Sequence, residues 1–367
     1  MNRIQKTLTV NRKTMSIIEK LEKNERLNYE DAIKLYDLDL FTLASFANKI
    51  RIDKHGKKTY FNINRHINPT NICKDVCQFC AYSASRKNPH QYTMSHEEIL
   101  EIVKNSSKNN IKEVHIVSAH NPHTGLQWYM DVFKKIKENF PNIHVKALTA
   151  AEIHFLSTEY KLSYEEIINM MISHGIDSMP GGGAEIFDEA VRKRICGGKV
   201  TSEQWLEIHK LWHQKGRKSN ATMLFGHVED RNHRIDHILR LRDLQDLTGG
   251  FNAFIPLVYQ TENNYLKVKE PLTGQEILKT YAIARILLDN IPNIKAYWAT
   301  STVKLALIAQ EFGANDVDGT IEKEAIQSAA GASSANGIAQ MEFVDLIKNS
   351  GFIPVERDSI YNEIKTW

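Results

Sequence analysis

From residue 59 onward the apolar positions switch back and forth between two periods. Short runs with strand character occupy 60–68 (YFNINRHIN), 113–119 (EVHIVSA), 144–150 (HVKALTA), 219–225 (SNATMLF) and 251–259 (FNAFIPLVY). Stretches whose apolar residues recur every three or four positions separate them, the mark of amphipathic helices. SHEEILEIVKNSS starts at Ser95 with Glu98 three residues on, the capping-box spacing. LQWYMDVFKKIKENF ends at Pro141, and SYEEIINMMISHG runs from a Ser163 cap to Gly175. Further helices are predicted from about Ala184, from Ser202, after Asp230, over 274–290 and over 302–313. Shorter strands, DSMP at 177–180, IKAYW at 294–298 and DVDGT at 316–320, fill the remaining gaps.

Roughly eight strand–helix alternations in about 270 residues argue for a parallel sheet, and their number and span suit a closed (β/α)8 barrel better than an open sheet. No Gly-x-Gly-x-x-Gly follows the first strand, which weighs against a dinucleotide-binding sheet. Residues 13–50 carry helical periodicity, including the Ile17, Ile18, Leu21 stripe. The expected organisation is therefore a helical extension over 1–58, the barrel over 59–330 and a C-terminal, largely helical segment over 331–367 that packs on it.

Composition narrows the chemistry. The 367 residues carry 47 basic and 44 acidic side chains, a net charge of +3 that is too balanced for a nucleic-acid surface. The basic stretch 51–58 (RIDKHGKK) reads as a solvated connector. No apolar run approaches membrane-spanning length and the N-terminus lacks a signal-peptide core, so a cytoplasmic location is expected.

Three of the four cysteines fall within eight residues, as CKDVCQFC from Cys73 to Cys80. In a barrel this segment sits just after the first strand, at the mouth where chemistry is done. Three readings compete. Structural zinc needs four ligands, and neither His66 nor His90 stands at pair spacing. A 4Fe–4S cluster held by four thiolates would need the distant Cys196, which reads equally as a small core residue. A cluster held by Cys73, Cys77 and Cys80 leaves one iron open to a ligand, with Phe79 shielding it from water.

CxxxCxxC with an aromatic residue before the last cysteine, after the first strand of a βα barrel, resembles the radical S-adenosylmethionine (SAM) superfamily. NRHINPTNICKDVCQFCAY (64–82), DSMPGGGAEIF (177–187), RKRICGGK (192–199), NATMLFGHVE (220–229) and LRDLQDLTGGFNAFIPLVY (241–259) resemble its menaquinone-pathway and deazaflavin-cofactor branch. HVKALTAAEI (144–153) and RKRIC lean toward the synthases of the futalosine route over the sister cyclase. The resemblance implies a 4Fe–4S cluster on Cys73, Cys77 and Cys80, and SAM consumed as co-substrate. It implies addition of the 5′-deoxyadenosyl radical to 3-[(1-carboxyvinyl)oxy]benzoate, with rearrangement and decarboxylation to 6-amino-6-deoxyfutalosine. It also implies an electron donor such as flavodoxin or ferredoxin. The alternatives within the branch are dehypoxanthine futalosine cyclase and deazaflavin synthase chemistry.

Strand-end positions supply the remaining candidates. For SAM they are Phe79, Tyr82, Ser118, Thr149, Glu185, Arg192 and Gly226. Glu185 follows the turn Gly181–Gly183, suits an ammonium or a ribose diol, and could instead cap a helix. No catalytic residue is assigned; the candidates are His66, Asn68, Lys146 and Arg194, and the two substrate carboxylates that the resemblance implies make Arg192 and Arg194 candidates for SAM or substrate. His120, Glu152 and Glu229 share the right address; each also has a structural reading as a hydrogen-bonded or capping residue.

Overall fold

A computed structural model describes residues 17–84, 89–268, 270–321, 323, 325–332 and 337–367. The expected start of the helical layer at residue 13 lies outside them. That layer comprises α1 (17–22), α2 (Tyr29–Lys34) and α3 (Leu40–His55). Asn28 caps α2 and Asp39 caps α3, each through side-chain bonds to backbone N–H groups of the first turn.

The barrel closes. Its first strand comes in two pieces, β1 (Lys58–Asn62) and β2 (Asn64–Ile67). β2 pairs in parallel with β3 (Glu113–Ile116), and β3 with β4 (His144–Ala147). The fourth strand is reduced to two bridges, Lys146 with Ser178 and Met179 with Ser219. β5 (Ser219–Phe225) pairs with β6 (Phe251–Val258), and β6 with β7 (Asn293–Ile294). A bridge from Lys295 to Asp316 leads to β8 (Asp316–Gly319), and β8 returns to β1 with Tyr60 opposite Asp316. Every pairing around the ring is parallel, as the alternating pattern requires.

The helices outside the ring follow the expected order: α4 (His96–Ser107), α5 (Leu126–Asn139), α6 (Ala150–Tyr160), α7 (Tyr164–Ser173), α8 (Glu189–Cys196), α9 (Ser202–Gln214), α10 (Arg231–Thr248), α11 (Gly274–Leu287), α12 (Trp298–Ser301) and α13 (Val303–Ile308). The Ser95 capping box forms, and Ser163, Thr201 and Asp230 close similar boxes on α7, α9 and α10. Three details depart from the sequence reading. Helix α6 was not expected; it opens on a Thr149–Glu152 capping box directly after β4. The helix placed from Ala184 starts five residues later, behind an Asp188 cap, because Glu185 has φ +46° and cannot begin a right-handed helix. The strand placed over 294–298 stops early: Trp298 begins α12 and donates its indole N–H to the Gly319 carbonyl at 2.9 Å.

Beyond the barrel come α14 (Ile326–Ala329), α15 (Gln340–Asn349), β9 (Ile353–Arg357) and β10 (Glu363–Thr366). The two last strands correct the expectation of a helical tail. β9 lies parallel to β1, on the edge that β8 leaves free, and β10 folds back on β9. Buried ion pairs tie the interior together: Lys146–Glu113 at 2.6 Å, Lys295–Asp318 at 2.8 Å and Arg357–Asp316 at 2.5 Å. Among the described residues no helix is long and apolar enough to cross a membrane.

Candidate active site

The segment after β2 folds over the C-terminal end of the barrel and is fastened on three sides. Lys74 N–H donates to the His120 carbonyl at 2.9 Å, beyond β3. Gln78 N–H donates to the Ile195 carbonyl of α8 at 2.7 Å. The Gln78 carbonyl accepts from Tyr265 and Leu266 N–H, at 2.7 and 3.0 Å. Between these anchors Cys73, Cys77 and Cys80 are free thiols, half-buried, on the wall of one open cavity of about 240 Å³. Burial pushes the Cys73 and Cys77 thiols up. Three sulfurs outside any disulfide on one cavity wall are a donor set suited to a cluster ligated at three irons. Cys196 is not part of that wall. It is buried behind Cys77, where burial lifts its thiol to about 11.

The rest of the cavity brings together most of the candidates for SAM. Phe79, Tyr82, Ser118, Thr149 and Glu185 all line it, with Gly182 and Gly183. The triple-glycine turn is held from behind by three elements. Thr222 of β5 donates its hydroxyl to the Gly181 carbonyl at 2.6 Å, Trp205 of α9 its indole N–H to Gly182 at 3.2 Å, and Arg192 of α8 its guanidinium to Gly183 at 3.2 Å. A Cβ at Gly181 would lie 2.7 Å from the Asn220 carbonyl oxygen and one at Gly182 2.8 Å from Thr149, so neither position has room for a side chain. Thr149 and Glu152 cap α6, and Glu152 also accepts the Ser118 N–H at 2.9 Å. This carboxylate thereby joins the ends of the second and third strands. Burial raises its pKa.

Other candidates sit elsewhere. Arg192 is buried and donates to the carbonyls of Gly183, Ala184, Ile186 and Val200, so it braces the turn and does not line the cavity. Arg194 is exposed on the outer face of α8. Lys146 is committed to Glu113 inside the barrel. Gly226 does not line the cavity either; its φ of +94° and the Leu272 side chain, 2.8 Å from where a Cβ would be, account for the glycine. Glu229 accepts the N–H groups of Gly226 and His227 and pairs with Arg234 at 2.8 Å, a structural role.

Asp75, Lys199 and Gln260 also line the cavity, and the sequence reading did not single them out. Asp75 pairs with His120 Nδ1 at 2.8 Å, and the His120 ring stacks on Phe155. Lys199 pairs with Glu185 at 2.9 Å. The signal for Lys199 was its position after Gly197-Gly198, which turns the chain back at the end of α8.

A second lobe of about 160 Å³ shares a wall with the first that includes Val117, Thr149, Gly182, Thr222 and Leu257. His66 and Asn68 line it, with His115, Tyr297 and Asp318. The rings of His66 and His115 meet edge to face at 4.7 Å, and burial drives the His115 pKa far below that of free imidazole, so that ring is neutral. Asn68 donates to the Val117 carbonyl at 2.9 Å.

Comparisons with known proteins agree with this geometry. A model of the radical SAM superfamily matches residues 67–241, and one of the CofH/MqnC C-terminal region matches residues 248–366. The chain is 44% identical to an aminodeoxyfutalosine synthase of Thermus thermophilus, covering 96% of both chains. It is 38% identical to one from Streptomyces coelicolor, over 95% of this chain and 93% of that one. Its fold resembles the crystal structure of methylornithine synthase with a TM-score of 0.74 at 16% identity, covering 92% of this chain and 97% of the other.

Proposed function

The chain belongs to the radical SAM superfamily, and on that premise we propose that it carries out the aminodeoxyfutalosine synthase reaction. The 5′-deoxyadenosyl group of SAM is joined to 3-[(1-carboxyvinyl)oxy]benzoate. Aryl migration and loss of a carboxylate then give 6-amino-6-deoxyfutalosine. The observation that carries this reading is a wall of three free thiols facing a two-lobed cavity, in a chain matched along nearly all its length by synthases of that reaction. The 4Fe–4S cluster, when bound by Cys73, Cys77 and Cys80, supplies the electron that cleaves the SAM sulfonium to methionine and the 5′-deoxyadenosyl radical.

The chain's own groups divide the remaining work. Glu185 offers a carboxylate to the methionyl ammonium, and the braced turn at Gly181–Gly183 lets a nucleoside approach backbone. Phe79, Leu224, Leu257 and Tyr259 make the wall that keeps water from a primary carbon radical. The second lobe suits the enolpyruvyl benzoate: neutral His115, His66 and Asn68 provide polar edges among apolar surfaces. The shared wall at Thr149, Gly182 and Thr222 is where the adenosyl carbon and the enol-ether double bond would meet. The electron comes from a small one-electron carrier of the flavodoxin or ferredoxin kind.

Anaerobic turnover with SAM and the enolpyruvyl substrate, followed by mass spectrometry, tests the reading. The expected product is the adenosyl adduct with one carboxylate lost and one methionine released per turnover. Free 5′-deoxyadenosine with unchanged benzoate, together with turnover of dehypoxanthine futalosine, would reassign the chain to the cyclase reaction.

A further inference from the structure

Lys199 reaches the cavity by a specific route. Helix α8 ends at Cys196, Gly197 leaves the helix and Gly198 takes φ +91°, a backbone shape that favours glycine. This turn sends the Lys199 side chain inward, where it is 14% exposed. Its ammonium is 2.9 Å from Glu185 and 5.9 Å from the centre of the Phe79 ring, the aromatic residue between Cys77 and Cys80. Among the described residues that line the cavity, Lys199 is the sole lysine or arginine. A buried ammonium is costly unless a negative charge accompanies it. Glu185 supplies one such charge, Asp75 stands on the same wall paired with His120, and cluster-bound thiolates of Cys73, Cys77 and Cys80 would be the remaining negative group.

We propose that Lys199 is the fixed counter-cation of the cluster, favouring its reduced state and so setting how readily it takes up an electron. The inference rests on the radical SAM reading above, since it presupposes the cluster. The charges follow from the ligand set: a 2+ cubane core with three thiolates carries a net charge of −1, and one electron takes it to −2. A nearby ammonium stabilises the second state more than the first. Burial works against the charge on Lys199, and the Glu185 carboxylate at 2.9 Å offsets it.

The experiment is an EPR-monitored redox titration of the reconstituted holoenzyme with dithionite and mediators, without SAM, so that a role of Lys199 in SAM binding does not enter. Lys199→Met is expected to lower the reduced-to-oxidised ratio at a fixed potential about tenfold, a shift of about −59 mV for one electron. Glu185→Gln removes the opposite charge and is expected to shift the potential upward. Lys199→Arg keeps the charge and stays close to the parent. A Lys199→Met protein with full iron content and the parent potential overturns the proposal, as does a downward shift in Glu185→Gln. If Lys199→Met does not hold its iron, Lys199→Arg and Glu185→Gln decide: an upward shift in the second with little change in the first supports the proposal, and its absence overturns it. A parent protein that takes up no cluster would sink the radical SAM reading itself, a different failure from an unchanged potential in a loaded variant.

Discussion

The three cysteines were legible because the loop that carries them is local. Ligand spacing along eight residues says what the segment can bind before any fold is known. Cys73→Ala, Cys77→Ala and Cys80→Ala are each expected to abolish cluster retention and turnover. Cys196→Ala keeps its iron and loses about 1 kcal/mol of stability for a small buried void, measurable by iron assay and urea unfolding. The arginines were harder to read, because a sequence cannot show which acceptor a guanidinium will reach. Arg192 was expected to grip an anionic ligand and instead serves four backbone carbonyls around the glycine turn. Arg192→Met strands those carbonyls. The expected result is a loss of about 3 kcal/mol and a KM for SAM that rises more than kcat falls. Lys199 was missed because its importance comes from the cavity that Gly197 and Gly198 turn it into, and nothing in its immediate neighbours announces a thiolate partner.

At the scale of elements, periodicity and capping placed almost every barrel helix. One exception, α6, is instructive. Its residues, AAEIHFLSTEY, follow β4 with no glycine or proline between, so the apolar run of the strand continues into the helix without a break. The Thr149-x-x-Glu152 pair was present in the sequence but was read as ligand-facing. It both caps α6 and lies beside the site: Thr149 lines the cavity while its hydroxyl accepts the Glu152 N–H at 3.2 Å. Thr149→Val keeps the shape and removes the cap. Chemical denaturation should show a loss of about 1 kcal/mol, and Thr149→Ser should recover most of it. The late start of α8 has a similar origin: the left-handed Glu185 that faces Lys199 postpones the helix to the Asp188 cap, a displacement that composition does not reveal.

At the scale of the whole molecule, the ring closes through short pairings, and the tail completes it from outside. Packing also removes imidazoles from water, partly for His55 and almost wholly for His213 and His237. Burial pushes the imidazole pKa of His55 from 6.5 to about 4, and those of His213 and His237 from 6.5 to about 3. A depressed histidine binds its proton more readily in the unfolded chain. Its contribution to stability is therefore intact above pH 6.5 and is lost as pH falls from there toward the folded values. The urea midpoint should fall steadily between pH 7 and pH 4.5, and His55→Gln should flatten part of that slope. A midpoint constant over this range would contradict the buried, neutral state assigned to these rings.

The sequence by itself determined the alternation of strands and helices, hence a parallel barrel, and the thiol triplet with the chemistry it can hold. Both are written in short-range spacing, which a linear chain displays directly. Only the tertiary structure decided which charged groups face the cavity and which brace it. Arg192 and Lys146 turn to carbonyl and carboxylate partners, Lys199 and Asp75 come forward, and β9 pairs with the free edge of β1. Those outcomes depend on contacts between residues far apart in sequence, where the cost of burying an unpaired polar group selects a partner that no local pattern names.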